Sequence, residues 1–208
     1  MNIKHYFFIL LVTLCSCNTD FSKKLAILEI DEKYKSGALE EAKTEVNEYI
    51  KKEADNEFAW TLLGHIESGM DKDSLALIAY KKALTINQKT VEAITGMGIL
   101  SRKKGNYDEA SAYYNKAIQI NPNYAEAYSS LVVINLKRKK FDEAVKVGLK
   151  GYNLDKEGGT IVANLAVAYH YAKDTIQREK YFEIAKKNGY KNMETLRQIF
   201  NNELTVFD

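Results

Sequence analysis

Proline is almost missing from this chain. Pro122 is the one proline in 208 residues, where average usage would give about ten. Glycine is also low, at 11, and cysteine occurs twice, at Cys15 and Cys17. Scarcity of both turn-forming residues argues against an all-β sandwich, a collagen-like chain or Pro-rich linkers, and favours a chain that is mostly helix. No charge sign predominates: 30 Lys and Arg stand against 28 Asp and Glu, a formal net charge of +2. That balance makes no general case for nucleic acid or an acidic substrate. At 46% apolar and 28% charged residues, the composition is that of a folded soluble chain rather than a disordered one.

Long hydrophobic runs are lacking too, with one short exception. Tyr6 to Leu14 is apolar apart from Thr13 and follows Lys4. A bilayer-spanning helix needs about 20 such residues, so this run fits the h-region of a secretory signal. It ends in Leu14-Cys15-Ser16-Cys17. An apolar residue, then a small residue directly before a cysteine, resembles the lipobox of bacterial lipoproteins. That resemblance implies cleavage before Cys17 and lipidation of Cys17. The same residues also read as a plain secretory signal with two incidental cysteines, or as a redox pair. Cleavage would remove Cys15 and leave no disulfide partner.

What the chain has in abundance is a period. Stepping by 34 residues gives the columns Ala42, Ala76, Ala110, Ala144 and Gly64, Gly98, Val132, Ala166. A third column is Val46, Tyr80, Tyr114, Gly148, Phe182, and a fourth Tyr49, Ala83, Ala117, Gly151, Ala185. Fixed self-similarity at this length marks a repeat architecture. Within one period the spacing is helical: Ile94, Met97, Gly98 and Ser101 share one face, then Ala110, Tyr113, Tyr114, Ala117 and Ile120 share another. Gly105-Asn106 separates the two runs, and Asn106 with Glu109 has capping-box spacing. Asn121-Pro122-Asn123 closes the second, because proline cannot continue a helix. A compact helical bundle is the alternative, and it predicts unequal helix spacing.

Trp60-x2-Leu63-Gly64, Ala76-x3-Tyr80 and Ala83 resemble the signature of the tetratricopeptide repeat, as do Gly98, Ala110-x3-Tyr114, Ala117 and Pro122. The resemblance implies an all-α chain: an α-solenoid of five stacked helix-turn-helix repeats, 23–56, 57–90, 91–124, 125–158 and 159–192. A lipoprotein signal (1–16) and a lipidated cysteine with a short tether (17–22) precede them. A short C-terminal capping helix and tail (193–208) follow, carrying Met193, Leu196, Ile199 and Phe200. The tether spans roughly 20 Å at full extension, which keeps the array close to a membrane.

Catalytic chemistry has little to stand on. The histidines are His5, His65 and His170, with no pair at metal-ligand spacing. Gly96-Met97-Gly98 is not a phosphate loop. The acidic pairs Glu40-Glu41 and Asp142-Glu143 open second helices, where the dipole favours them. The expectation is therefore a non-enzyme without cofactor, metal, nucleic acid or small-molecule substrate. By family resemblance, the first helices of the repeats line a concave peptide groove. In register it comprises Phe58, Thr61, His65, Thr95, Ile99, Arg102, Lys103, Ser129, Val133, Leu136, Lys137, Ala163, Val167, His170 and Tyr171. The carboxylate clamp of some family members is missing, because Ile27, Asp31, Leu62, Glu92 and Gly96 hold its positions.

The expected role is a protein or peptide adaptor in a bacterial cell envelope, attached to a membrane through its lipid. Asn18 in place of Asp favours the outer membrane, facing the periplasm. Two further readings stay open. One is a self-associating or membrane-surface protein that uses the basic edge Arg102-Lys103-Lys104 and Lys137-Arg138-Lys139-Lys140. The other is an accessory subunit of an envelope assembly machine.

Overall fold

The computed structural model describes residues 21–207, so the signal segment and Cys17 lie outside the described residues. Eleven helices and no strand occur among those residues. They fall into two compact units, divided after Thr90. The first holds α1 (residues 21–36), α2 (Leu39–Lys52), α3 (Glu57–Gly69) and α4 (Asp73–Ile86). The second holds α5 (Val91–Lys103), α6 (Tyr107–Ile120), α7 (Ala125–Lys137), α8 (Phe141–Leu154), α9 (Gly159–Tyr171), α10 (Thr175–Lys187) and α11 (Met193–Phe200).

Helix starts keep the sequence period. The even-numbered helices α2 to α10 begin at residues 39, 73, 107, 141 and 175, and the odd-numbered α3 to α11 at 57, 91, 125, 159 and 193. Each step is 34 residues, so the unequal spacing of a bundle is ruled out and the fold is an all-α repeat solenoid. The last helix is in register as the first helix of a further repeat. It stops after eight residues where its counterparts run to 13.

The turn inside each pair repeats as well. Gly37, Asp71, Gly105, Lys139 and Lys173 all have positive φ, between 57° and 90°, and they too are 34 residues apart. After each, a backbone N–H reaches back five residues: Ala38 to Lys33, Lys72 to Glu67, Asn106 to Ser101, Lys140 to Asn135 and Asp174 to Tyr169, at 2.8–3.0 Å. This is the Schellman closure, which satisfies the carbonyls that a helix end leaves open. One turn departs from expectation. Asn106 precedes α6 but its side chain makes no cap. Asn106 follows the left-handed Gly105 with ψ at 67°, whereas Asp174, in the same place after the left-handed Lys173 and with ψ at 87°, does cap α10: its Oδ1 accepts from the Gln177 N–H at 3.0 Å. Asn56 has the extended backbone typical of a cap, and its Oδ1 accepts from the Ala59 N–H at 2.9 Å.

Core packing follows from size complementarity between columns. A Cβ built on Gly64 would sit 2.4 Å from the Tyr80 ring, and one on Gly98 would sit 2.5 Å from Tyr114. Both rings are among the largest fully buried side chains. The fourth repeat reverses the sizes. Val132 takes the small position and Gly148 the aromatic one, and Leu165 from the next helix comes within 2.9 Å of where a Gly148 Cβ would lie. The first unit's core gathers Ile30, Val46, Leu62 and Ile66, with Ala42 and Ala59 allowing close approach. The second unit's core centres on α9, through Val162, Leu165 and Ala166, and is closed by Leu196 and Ile199 of α11.

Candidate functional site

The first helices of the repeats in the second unit, α5, α7 and α9, present the expected face one helical turn at a time. Its first row is Thr95, Ser129 and Ala163, all buried. This row works as a seam: Asn164 Nδ2 on α9 donates to the Ser129 Oγ of α7 at 2.9 Å. The second row is Ile99 and Val133, half-buried, and Val167, buried. The third is Arg102, half-buried, Leu136, buried, and His170, half-buried. Lys103 is exposed and Lys137 half-buried at the helix ends. The face is therefore open at Ile99 and Val133, while Leu136, Ala163 and Val167 belong to the core.

The C-terminal segment takes up the α9 end. The His170 ring stacks on Phe200 of α11 at 5.2 Å and meets Tyr171 edge-on at 4.9 Å. Arg178 lies over the Phe200 ring, 5.1 Å from its centre. The tail then returns to α9. The Val206 N–H donates to the Tyr171 hydroxyl at 3.3 Å, and Phe207 contacts the Tyr171 and Phe141 rings.

Burial lowers the pKa of His170 below its ordinary value near 6.5, and the Arg178 cation lowers it further, against a hydrogen bond with Asn202 that raises it. The sign follows. A depressed folded-state pKa gives stability that is present above 6.5 and is lost as pH falls through the folded value. Amide exchange at Leu196 and Ile199 should therefore speed up below pH 6.5, after correction for intrinsic rates. His170→Phe should remove that dependence. An unchanged profile in the variant would assign the effect to another group.

Charge is polarised along α5 and α7. Glu92 and Glu126 open them, and Arg102, Lys103 and Lys137 close them, the distribution that each helix dipole favours. Tyr124, which the periodic reading did not single out, joins the acidic end. Its hydroxyl donates to Glu126 Oε2 at 2.7 Å. Burial pushes the Tyr124 hydroxyl pKa well above its ordinary value, and the nearby Glu126 raises it further. Its column gave no signal, since Thr90 and Gly158 occupy the matching positions. The face thus offers acceptors at one end, an apolar middle and cations at the other.

In the first unit, Phe58 is 54% exposed on α3. Thr61 is buried and donates to the Glu57 carbonyl at 2.7 Å. His65 is half-buried, with Nδ1 2.9 Å from the Tyr80 hydroxyl and its ring stacked on Tyr34. These contacts make His65 part of an aromatic packing cluster.

The basic edge is largely engaged. Arg138 Nη2 pairs with Asp108 Oδ1 at 2.5 Å, and Lys139 Nζ lies 5.2 Å from the Phe207 ring centre. Asp108, Glu109, Asp142 and Glu143 interleave acidic groups at the starts of α6 and α8. Among the described residues, no group of three or more His, Cys, Asp and Glu could hold a metal ion. Among the same residues, no helix is long and apolar enough to cross a membrane.

Three family models described as tetratricopeptide repeat match residues 59–90, 91–124 and 113–146. No curated protein is significantly similar in sequence. Several solved structures share the fold. PilF of Pseudomonas aeruginosa is 18% identical, with a TM-score of 0.70, over 88% of this chain and 86% of that one. PilW, described as a widely conserved type IV pilus biogenesis factor, is 18% identical over 80% and 77%, with a TM-score of 0.67. YrrB, described as a tetratricopeptide-repeat protein with an unusual peptide-binding site, is 17% identical over 86% and 91%, with a TM-score of 0.54. At these identities the likeness is one of fold.

Proposed function

This chain is a tetratricopeptide-repeat protein, and we propose that it is a non-catalytic adaptor that binds an extended protein segment and is held on a bacterial envelope membrane by a lipid on Cys17. One observation carries the binding half: the strip of Ile99 and Val133, half-exposed between Glu92 and Glu126 at one end and Arg102 and Lys137 at the other. An apolar middle between opposite charges suits a peptide with a small hydrophobic core and a charged residue on each side. YrrB supports the reading in kind, since its description includes a peptide-binding site.

The anchoring half rests on the run Tyr6–Leu14 followed by Ser16-Cys17. The likeness of fold to PilF and PilW, the second described as a pilus biogenesis factor, accords with an envelope setting. Asn18 favours the outer membrane.

Photo-crosslinking residues placed at Ile99 and Val133 in cells, followed by mass spectrometry, test the groove. A discrete partner is expected from these positions and none from Lys116 or Lys150, which are exposed on second helices. Capture from the second helices alone would overturn the assignment. Labelling with a palmitate analogue, lost on Cys17→Ser, tests the anchor.

A further inference from the structure

The first helix breaks the column rules of the array, and it does so differently at its two ends. At the position of Leu25 the other repeats carry Ala59, Ala93, Ala127 and Ile161, all buried. Leu25 is 46% exposed, and Leu28, whose counterpart Leu62 is buried, is 50% exposed. Phe21 is 66% exposed, at a position where every other repeat has an exposed polar residue: Asp55, Lys89, Asn123 or Glu157. Further along α1 the substitution is reversed. Exposed Glu29 and Glu32 stand where Leu63 and Ile66, or Met97 and Leu100, are buried. One face of α1 is thus apolar over its first two turns and acidic beyond them.

A preceding repeat or a second copy stacked on this face would have to bury Glu29 and Glu32 against apolar columns, at a large desolvation cost. The apolar end points to a different occupant. Only Asn18, Thr19 and Asp20 separate Phe21 from Cys17, and four steps of chain reach at most about 14 Å. A lipid on Cys17 therefore confines Phe21, Leu25 and Leu28 to the neighbourhood of the bilayer surface. An aromatic, two leucines and the exposed Lys24 are the residue types that settle at that interface, the apolar groups below the headgroups and the ammonium among them.

We propose that Phe21, Leu25 and Leu28 form a membrane-docking surface, so that the first two turns of α1 lie in the lipid interface beside the anchor. The surface rests on the lipidation of Cys17 proposed above and adds a second attachment to it. Acyl chains alone leave an attached domain free to tumble, whereas an embedded helix end fixes which way the first unit faces. Glu29 and Glu32 set the depth at which insertion stops.

The test uses the full lipidated chain in vesicles of phosphatidylethanolamine with a minor share of phosphatidylglycerol. Nitroxide labels are placed singly through Leu25→Cys, Leu28→Cys and Glu32→Cys, all at exposed positions. The ratio of oxygen to nickel-complex accessibility should be several-fold higher at Leu25 and Leu28 than at Glu32. It should fall to the Glu32 value when Phe21→Glu is added. A palmitate-bearing chain in which all three labels are equally water-accessible overturns the docking surface alone. Spin–spin broadening at Leu25 that vanishes on dilution with unlabelled chain overturns it in favour of a second copy. A chain that takes no palmitate and stays out of the vesicles overturns both the surface and the anchor.

Discussion

Gly98→Val should destabilise the protein by about 3 kcal/mol, near the top of the range for overpacking a core. The sign is not obvious in advance. Glycine inside a helix costs about 1 kcal/mol relative to alanine, so a side chain at this position of α5 gains backbone stability. Space decides against it. Any Cβ here meets three ring atoms of Tyr114 at 2.5–3.0 Å, and that ring is fully buried and has no solvent to swing into. The fourth repeat shows how the clash can be relieved, since Val132 there faces Gly148 with Leu165 alongside. Leu131 occupies the position corresponding to Leu165 one period earlier. Tyr114→Gly alone should cost at least about 4 kcal/mol, from the cavity and the helical glycine together. The double variant Gly98→Val, Tyr114→Gly should be more stable than the sum of its parts by about 2 kcal/mol. Urea denaturation of the four proteins measures this, and strict additivity would show that the two columns do not share a space.

Tyr80→Ala is expected to cost about 4 kcal/mol, which for a chain of this size lowers the melting temperature by roughly 8–16 °C. The ring fills the gap beside Gly64, and its hydroxyl bonds His65 Nδ1 at 2.9 Å. Tyr80→Phe keeps the ring and removes the hydrogen bond, so its expected cost is about 1 kcal/mol. Differential scanning calorimetry separates the two. A Phe variant as unstable as the Ala variant would place the stabilisation in the polar contact rather than in packing.

The period could be read from residues alone because each helix pair solves the same packing problem. The columns Ala42 to Ala144 and Gly64 to Ala166 record those solutions at a fixed interval. The register of α11 was implicit in the same count, yet its residues suggested only a cap, because an eight-residue helix shows too little of its column to be placed. The turns were less legible. Asp71, Lys139 and Lys173 take the left-handed conformation that Gly37 and Gly105 advertise, and nothing in an aspartate or a lysine announces it. The face of the first helices was the least legible. Spacing tells which residues share a side, but Leu136 and Val167 are buried while Ile99 and Val133 stay half-open. Val206 packs against the cluster that holds Leu136 and Val167, and a contact across so long a separation carries no periodic mark.

The early stop of α11 bears on how far this architecture could grow. A repeat array is open at its ends: the surface that receives the next repeat is of the same kind whether that repeat comes from the same chain or from another. Such head-to-tail contacts build rings where the rotation closes and filaments where it does not, rather than two-fold dimers. Here the growing end is spent within the molecule. Leu196 and Ile199 take the places of an incoming helix, Asn202 at φ 60° turns the chain, and Val206 and Phe207 lie back on Tyr171. With five residues fewer than its counterparts, α11 covers the α9 end from within the same chain.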